Sequence, residues 1–188
     1  GCTWQYDCYP TEILHRLGLS EARSITCMDD IFKAPAFIIS MNEDRLAEAM
    51  VSVEEAGFSE RYHFPAVNGR DPDILSMERQ DHGIEWEIQA DGTVDTEDGG
   101  HLQGSHQGCF LSHLSVMKLM IEEGIPWITI FEDDIEFHSQ WRVLSQTFLS
   151  LTPDNWDILF IGNQIDGTPP NQLVSSIPCV CMHAYVIS

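Results

Sequence analysis

Basic residues are scarce in this sequence: 9 Lys and Arg stand against 30 Asp and Glu in 188 residues, a formal net charge of −21 at pH 7. A surface of this sign repels the phosphates of nucleic acids and of anionic lipids, which excludes a general polyanion-binding protein. A phosphorylated ligand would therefore need a cation to mediate much of its contact with the chain.

Long hydrophobic runs are also missing. No apolar run reaches the roughly 18 residues that a membrane-spanning helix needs, so no membrane span is predicted. The chain begins without Met and without a signal-peptide pattern, and it ends at Val186-Ile187-Ser188 within an apolar run. These ends indicate a fragment that is truncated at its C-terminus.

The six cysteines form no CxxC pair and have no His or Cys partners at the usual zinc spacing, so a structural zinc site is not expected. Cys2 and Cys8 could pair in an oxidising compartment. Cys109 lies in an apolar helical stretch and is interpreted as a core thiol.

Three common catalytic motifs are absent. No GxGxxG follows the first predicted strand, and the chain has no Walker loop and no GxSxG elbow. Ser112 and His113 are adjacent and cannot form a Ser/His pair in the usual geometry. The carboxylates are what remains to carry chemistry.

The pattern that is present alternates strands and helices. Strands are predicted over 36–40, 62–67, 127–131, 157–162 and 180–187, and helices over 45–56, 108–123 and 139–151. Asn42 or Asp44 is expected to cap the first of these helices, and Gly57 to end it. Such alternation predicts an α/β fold, a mostly parallel sheet flanked by helices. Residues 1–34 are irregular, with a short helix near 11–19.

An acidic insertion at about 71–107 separates the two patterned parts. Between Asp71 and His106 there are ten acids and one base, Arg79. We interpret it as a long, partly mobile excursion that serves solvation, or alternatively as a lid over a site.

The most informative stretch is a strand ending in three carboxylates, Glu132-Asp133-Asp134. Open α/β sheets bind ligands at such strand ends. Neighbouring carboxylates repel one another unless a cation or hydrogen bonds offset the repulsion, and Mg²⁺ and Mn²⁺ prefer oxygen ligands. The alternative is a strand that runs into an acidic, solvated turn. Alternation along an extended chain would point Glu132 and Asp134 to one side.

The stretch Gly108-Cys109-Phe110-Leu111-Ser112-His113, followed by Glu132-Asp133-Asp134, resembles glycosyltransferase family 25, which includes lipopolysaccharide galactosyltransferases and collagen β-galactosyltransferases. Further resemblance lies at 37–42 with Arg45, and at 64–69, 156–162 and 183–188, so that it covers roughly 35–188. Ser40 stands where the family usually has Asn, and the family's C-terminal portion is absent.

The resemblance implies a GT-A-like, Rossmann-like nucleotide-sugar-binding domain over 35–188. It further implies a UDP-sugar donor, a divalent metal such as Mn²⁺ or Mg²⁺, and an inverting transfer of a hexose such as galactose to a saccharide or hydroxylated protein. Relatives of this kind act on the cytoplasmic side of a membrane or in the endoplasmic reticulum or Golgi lumen, and the sequence does not choose between them.

By resemblance, Asp134 is the leading metal ligand, and Glu132 meets the metal or the donor. Donor contacts are assigned to Ser40, Asn42, Arg45, Asn68, Ser112, His113, Glu132, Asp133 and Asn163. Each also has a structural interpretation: Ser112 could bond a carbonyl one turn back, Asp133 could accept backbone N–H groups, and Asn68 and Asn163 could be turn residues. Arg45 is unfavourable for the dipole at a helix start, which indicates an anionic partner.

Asp157 and His183 are the candidates for the general base that an inverting transfer needs. Two other functions stay open: a metal-dependent phosphohydrolase or nucleotidyltransferase, and a degenerate transferase domain kept as a non-catalytic binding module.

Overall fold

The protein is described by a computed structural model over residues 28–97, 99–152, 156–162 and 184–187. The predicted helix near 11–19 lies outside these residues. The described part begins with a short helix, α1 (Met28–Lys33), and builds an α/β fold around one five-stranded sheet.

The first unit is a strand, a helix and a parallel strand. β1 (Ala36–Ser40) is buried along its whole length. Helix α2 (Glu43–Ala56) starts at Asn42, whose Oδ1 accepts the backbone N–H of Arg45, and ends at Gly57 with φ of 116°. That positive φ is one that glycine adopts without strain. β2 (Arg61–Pro65) then pairs with β1 in parallel. Of the two predicted caps, Asn42 is the one that is used.

The insertion is more ordered than the sequence indicates. It contains helix α3 (Pro72–Asp81) and a small hairpin of β3 (Val94–Asp95) and β4 (His101–Leu102). Asp71 caps α3 through its side chain, and Pro72 occupies the first helical position, where its missing N–H costs nothing. Leu75 is the apolar residue of α3 that is buried, which is too little periodicity for the sequence to reveal a helix.

The next helix, α4 (Gly104–Glu123), anchors this insertion to the sheet. Gln107 is fully buried on α4. Its side chain accepts from Arg79 Nη1 at 2.9 Å and donates to the carbonyls of Gly92 and Leu102, at 3.0 Å each. One amide therefore fixes α3 and both ends of the hairpin. The helix begins four residues before the predicted start at Gly108.

The second half of the chain completes the sheet with β5 (Ile128–Glu132), helix α5 (Trp141–Ser150), β6 (Ile158–Gly162) and β7 (Ala184–Ile187). The strand order is β2-β1-β5-β7-β6. β1 pairs in parallel with β2 and β5, whereas β7 is antiparallel to both β5 and β6. The prediction of a mostly parallel sheet flanked by helices is therefore confirmed.

Each face of the sheet carries its own apolar core. One face packs Ile38, Phe131 and Val186 against α1, α2 and α5, and the other packs Ile39, Ile130 and Tyr185 against α4. Successive residues of a strand point to opposite faces, which is why Ile38 and Ile39 fall in different cores. Within the described residues, no helix has the length and hydropathy to cross a membrane.

Candidate functional site at the carboxyl edge of the sheet

The ends of β1, β2 and β5 meet at one edge, which we call the carboxyl edge. In the parallel register, Ser40 lies beside Pro65 and Ile39 lies beside Glu132. Strands that run in parallel bring their last residues together, and ligand sites of open α/β sheets form there. The three acids are thereby placed next to the start of α2 and to helix α4.

Glu132 turns toward α4. Its Oε1 lies 3.0 Å from Nε2 of His113 and 3.4 Å from Sγ of Cys109. The Nδ1 of His113 lies 2.9 Å from the hydroxyl of Tyr185 on β7. His113 is 4% exposed and Tyr185 0%, so a buried chain of polar groups runs from β7 through α4 to the tip of β5.

Burial raises the pKa of the Tyr185 phenol far above its ordinary value of 10.0, and the negative charge of Glu132 adds to the rise. The phenol therefore keeps its proton and can donate it to Nδ1 of His113. Nε2 then carries the imidazole proton and donates to Glu132. The chain orients the Glu132 carboxylate at the carboxyl edge.

Asp133 turns the other way. Its Oδ2 accepts from the Ser40 hydroxyl at 2.5 Å, and its Oδ1 pairs with the Arg45 guanidinium. Asp133 is 8% exposed at its side chain, whereas Arg45 is 53% exposed. Ser40 also accepts the backbone N–H of Asn42. This cluster joins the ends of β1 and β5 to the start of α2, and Arg45 has the anionic partner that its position indicates.

Asp134 differs from its two neighbours because it is exposed. β5 ends at Glu132, and Asp133 and Asp134 form a turn. Strand alternation stops there, so the expectation that Glu132 and Asp134 point to one side is wrong. Asp134 instead lines a cavity of about 440 Å³. Its other lining residues include Phe137, His138, Trp141, Gly162 and Ala184.

Ser112 supports the loop that follows β2. Its hydroxyl accepts the backbone N–H of Val67 at 2.8 Å and donates to the Gly108 carbonyl at 2.7 Å. The side chain is fully buried, so the bond to a carbonyl one turn back is present and no hydroxyl surface faces the site. A Cβ on Gly108 would lie 2.6 Å from the Val67 carbonyl oxygen. Glycine at 108 therefore permits the helix and this loop to touch.

Asn42 and Asn68 both use their side chains locally. Asn42 caps α2, and Asn68 Oδ1 accepts the backbone N–H of Arg70 at 3.1 Å, as in an Asx turn. A donor contact through either residue stays a prediction, as it does for Ser40, Arg45 and His113.

The two candidate bases fare differently. Ile128 of β5 and Ile158 of β6 both pair with Ile187 of β7, so the first residues of β5 and β6 lie at the same level of the sheet. Asp157 precedes β6 and therefore lies at the amino edge, whereas Glu132 ends β5 at the carboxyl edge. Five residues of strand rise separate them, about 16 Å. Asp157 is too far from the carboxyl edge to act as the base there, contrary to the sequence-based prediction. His183 and Asn163 lie outside the described residues.

A divalent ion of the Mn²⁺ type fits this edge through oxygen ligands. Such ions are commonly held by one or two carboxylates, with water and substrate phosphates completing the shell. Exposed Asp134 supplies a carboxylate of that kind, whereas both oxygens of Asp133 are engaged by Ser40 and Arg45 and Glu132 turns toward His113 and Cys109. The fit therefore favours Asp134 as the carboxylate ligand, and the sequence-based assignment of Glu132 to the same ion does not agree with the direction of its side chain.

Sequence reasoning missed one grouping here. Cys109, His113 and Glu132 are the one set of three or more described His, Cys, Asp or Glu side chains whose ligand atoms all lie within 4.8 Å of one another. Cys109 is exposed, so the prediction of a core thiol is wrong. The available signal was the four-residue spacing of Cys109 and His113, which places two side chains on one face of a helix.

Comparison with known proteins identifies a family. The family described as "Glycosyltransferase family 25 (LPS biosynthesis protein)" matches residues 33–167. A bovine protein named "Probable inactive glycosyltransferase 25 family member 3" is 27% identical over 154 residues, 79% of this chain and 25% of that protein. The chain thus spans about a quarter of the length of that relative.

Two further relatives match shorter stretches. "Procollagen galactosyltransferase 1-A" of Xenopus laevis is 30% identical over 69 residues, 35% of this chain and 11% of that protein. "Lacto-N-neotetraose biosynthesis glycosyltransferase LgtB" of Neisseria meningitidis serogroup B is 46% identical over 35 residues, 19% of this chain and 13% of that protein.

Proposed function

Because the chain belongs to glycosyltransferase family 25, we propose that it transfers a hexose, galactose in the first instance, from a UDP-sugar to a saccharide or a hydroxylated protein. Relatives named as a procollagen galactosyltransferase and as an enzyme of lacto-N-neotetraose biosynthesis support both acceptor classes. The observation that carries the proposal is the carboxyl edge itself. There an exposed carboxylate, Asp134, lies beside two acids that the fold holds in place.

A cation at this edge would offset the charge that develops on the departing UDP. Asp134 is the residue to hold that cation, with water and the diphosphate oxygens as its further ligands. The chain's own charge supports this arrangement, because a surface with a net charge of −21 binds a diphosphate poorly without a cation.

The fold contributes the orientation of the acids. The Tyr185–His113 chain orients the Glu132 carboxylate, and the Ser40–Asp133–Arg45 cluster fixes the turn that carries Asp134. In an inverting transfer, the acceptor oxygen bonds to the anomeric carbon while the bond to the UDP oxygen breaks. A base takes the hydroxyl proton. His183 is the remaining candidate from the sequence.

The test is a thermal-shift titration with UDP in the presence and absence of Mn²⁺. We expect UDP to raise the Tm when Mn²⁺ is present, and Asp134→Ala to abolish that rise. Glu136→Ala, a neighbouring exposed acid that lines the same cavity, is the matched control and should keep it. A protein that UDP does not stabilise at any Mn²⁺ concentration would contradict the donor proposal.

A second candidate is a binding module without catalysis, and the name of the bovine relative, "Probable inactive glycosyltransferase 25 family member 3", favours it. Assays with a panel of nucleotide sugars separate the two. UDP binding without release of UDP from any donor, in the presence of candidate acceptors, would identify the non-catalytic module. Release of phosphate or pyrophosphate would instead indicate a phosphohydrolase or nucleotidyltransferase.

A further inference from the structure

The side of the carboxyl edge that faces α4 presents three different metal-binding atoms together: a thiol, an imidazole nitrogen and a carboxylate oxygen. They belong to Cys109, His113 and Glu132, and all three atoms lie within 4.8 Å of one another. This mixture differs from the all-oxygen set that Mn²⁺ and Mg²⁺ prefer, because sulfur and imidazole ligands favour Zn²⁺ and related ions.

Two of the three separations are close to those of a tetrahedral zinc site. Zinc–nitrogen and zinc–oxygen bonds of about 2.0–2.1 Å at tetrahedral angles put the two ligand atoms about 3.3 Å apart, and a 2.3 Å zinc–sulfur bond puts sulfur about 3.5 Å from oxygen. The structure has 3.0 Å between His113 Nε2 and Glu132 Oε1, and 3.4 Å between Cys109 Sγ and the same oxygen. The third separation, between the Cys109 sulfur and the His113 ring nitrogen, is within 4.8 Å, and Cys109 is exposed.

A further contact would support such a ligand set. Metal-ligating histidines commonly hydrogen-bond through their other ring nitrogen, which fixes the tautomer and the orientation of the ring. Nδ1 of His113 already lies 2.9 Å from the Tyr185 hydroxyl. His113 and Tyr185 are buried, with 4% and 0% exposure, so the imidazole is held before any ion arrives.

We propose that Cys109, His113 and Glu132 form a zinc-binding site with three protein ligands and a fourth position open to solvent or a ligand. On binding, the Cys109 thiol loses its proton to solvent. The imidazole proton of His113 moves from Nε2 to Nδ1, where it donates to the Tyr185 oxygen. Bonds then form from zinc to Sγ, Nε2 and Oε1, and the net release is one proton.

Asp134 takes no part in this site, so zinc binding can be measured without nucleotide, whereas Glu132 and His113 also have donor contacts predicted from the resemblance. Zinc bound here would tie the N-terminal part of α4 to the tip of β5. The sequence analysis predicts no structural zinc site, because no His or Cys partners stand at the usual spacing, so this proposal rests on the tertiary arrangement and departs from that prediction.

Cobalt titration tests the proposal, because Co²⁺ reports a thiolate ligand by a charge-transfer absorption in the near ultraviolet, whereas Zn²⁺ is spectroscopically silent. The full chain is reduced with a phosphine and titrated without nucleotide. We expect one equivalent of Co²⁺ to produce this band and Zn²⁺ to displace it. Cys109→Ser should abolish the band and leave the circular dichroism spectrum unchanged, because Cys109 is exposed.

Two further variants make the test specific. Replacing the other five cysteines together by Ser should leave the band intact. Tyr185→Phe should keep the band but weaken Co²⁺ affinity about tenfold or more, an effect that a purely structural role for the phenol would not produce. No thiolate band in the wild type, a band that survives Cys109→Ser, or a band lost only with the other cysteines would each overturn the proposal.

Discussion

The two sides of the carboxyl edge use the same residue type in opposite ways. On the α4 side, Glu132 belongs to a chain that continues through His113 to Tyr185, and the last two are almost fully buried. On the side of the turn, Asp134 is exposed and lines a cavity. Asp133 lies between them and is engaged by Ser40 and Arg45.

The difference in burial separates an acid that stabilises the fold, Glu132, from an acid that is placed to bind a ligand, Asp134. A buried polar group that loses its partner costs the full desolvation of that group, so substitutions in the Glu132 chain should lower stability. An exposed carboxylate contributes little to stability, so substitution at Asp134 should change ligand binding alone. This contrast predicts that stability and function can be separated by mutation within three consecutive acids.

The largest expected effect is on transfer activity. Asp134→Ala should lower kcat/KM on the order of 10²- to 10³-fold, because loss of one group that stabilises transition-state charge typically costs that much. The Tm of the ligand-free variant should stay close to that of the wild type, since Asp134 is exposed. Activity assays with UDP-hexoses test the predicted loss of kcat/KM, and thermal melts test the predicted unchanged Tm. An inactive Asp134→Ala variant that also melts well below the wild type would contradict the prediction that Asp134 serves ligand binding and not stability.

His113→Ala should lower the free energy of unfolding by about 2–4 kcal/mol, since it removes the hydrogen bonds that the imidazole makes with the Tyr185 hydroxyl and with Glu132 and opens a void. Urea denaturation measures the loss. The control is His101→Ala, which removes an exposed histidine paired with exposed Asp95 and should cost less than about 1 kcal/mol. Equal losses of unfolding free energy at the two positions would show that the buried hydrogen-bonded chain contributes no more to stability than an exposed pair.

The stability of the protein at alkaline pH should depend on the raised pKa of Tyr185. Its pKa is raised in the folded state above the ordinary 10.0, so the folded protein keeps a proton that the unfolded chain loses. Stability is fully present below pH 10 and should fall above it, by up to about 1.4 kcal/mol for each pH unit. Urea midpoints between pH 9 and about 11 measure the slope. Tyr185→Phe should remove this part of the decline, and a slope unchanged by that substitution would refute the assignment.

The smallest effect is expected at the surface of the insertion. Lys118 on α4 pairs with Asp81 at the end of α3 at 2.5 Å, but the two side chains are 38% and 61% exposed. The lysine lowers the pKa of Asp81. Because solvent screens such pairs, Lys118→Ala should cost less than about 0.5 kcal/mol. Leu75→Ala, which removes a buried contact between the same segments, should cost about 2 kcal/mol or more by the same urea assay.

Regular patterns in the sequence predicted the five strands of the sheet and three of its flanking helices, but not helix α1 in the segment predicted as irregular or the antiparallel direction of β7. The β1 bounds agree with the prediction, and Gly57 and Gly124 end their helices with φ of 116° and 64°. The helix in the insertion, α3, was not predicted from the sequence, because Leu75 is its one buried residue and its other positions show no apolar periodicity. The hairpin that follows has strands of two residues each, too short for any periodicity.

The site was predicted in part. The acids at the end of β5 and the anionic partner of Arg45 were both within reach of the sequence, since a strand end and a cationic helix start are local features. The direction in which each acid's side chain points could not be predicted from the sequence. β5 ends at Glu132, so the turn that follows breaks the two-residue alternation on which the prediction depended. The position of Asp157 at the far edge follows from strand register, which the sequence of one strand does not contain.

The sequence by itself determined the α/β class, the cluster of three acids at a strand end and the strongly negative net charge. These are properties of composition and of local pattern. Only the tertiary structure decided how the three acids divide between the cavity, the Ser40–Arg45 cluster and the Cys109–His113 face. That division depends on contacts between elements far apart in the chain, because Tyr185 and His113, 72 residues apart, meet only when β7 lies against β5.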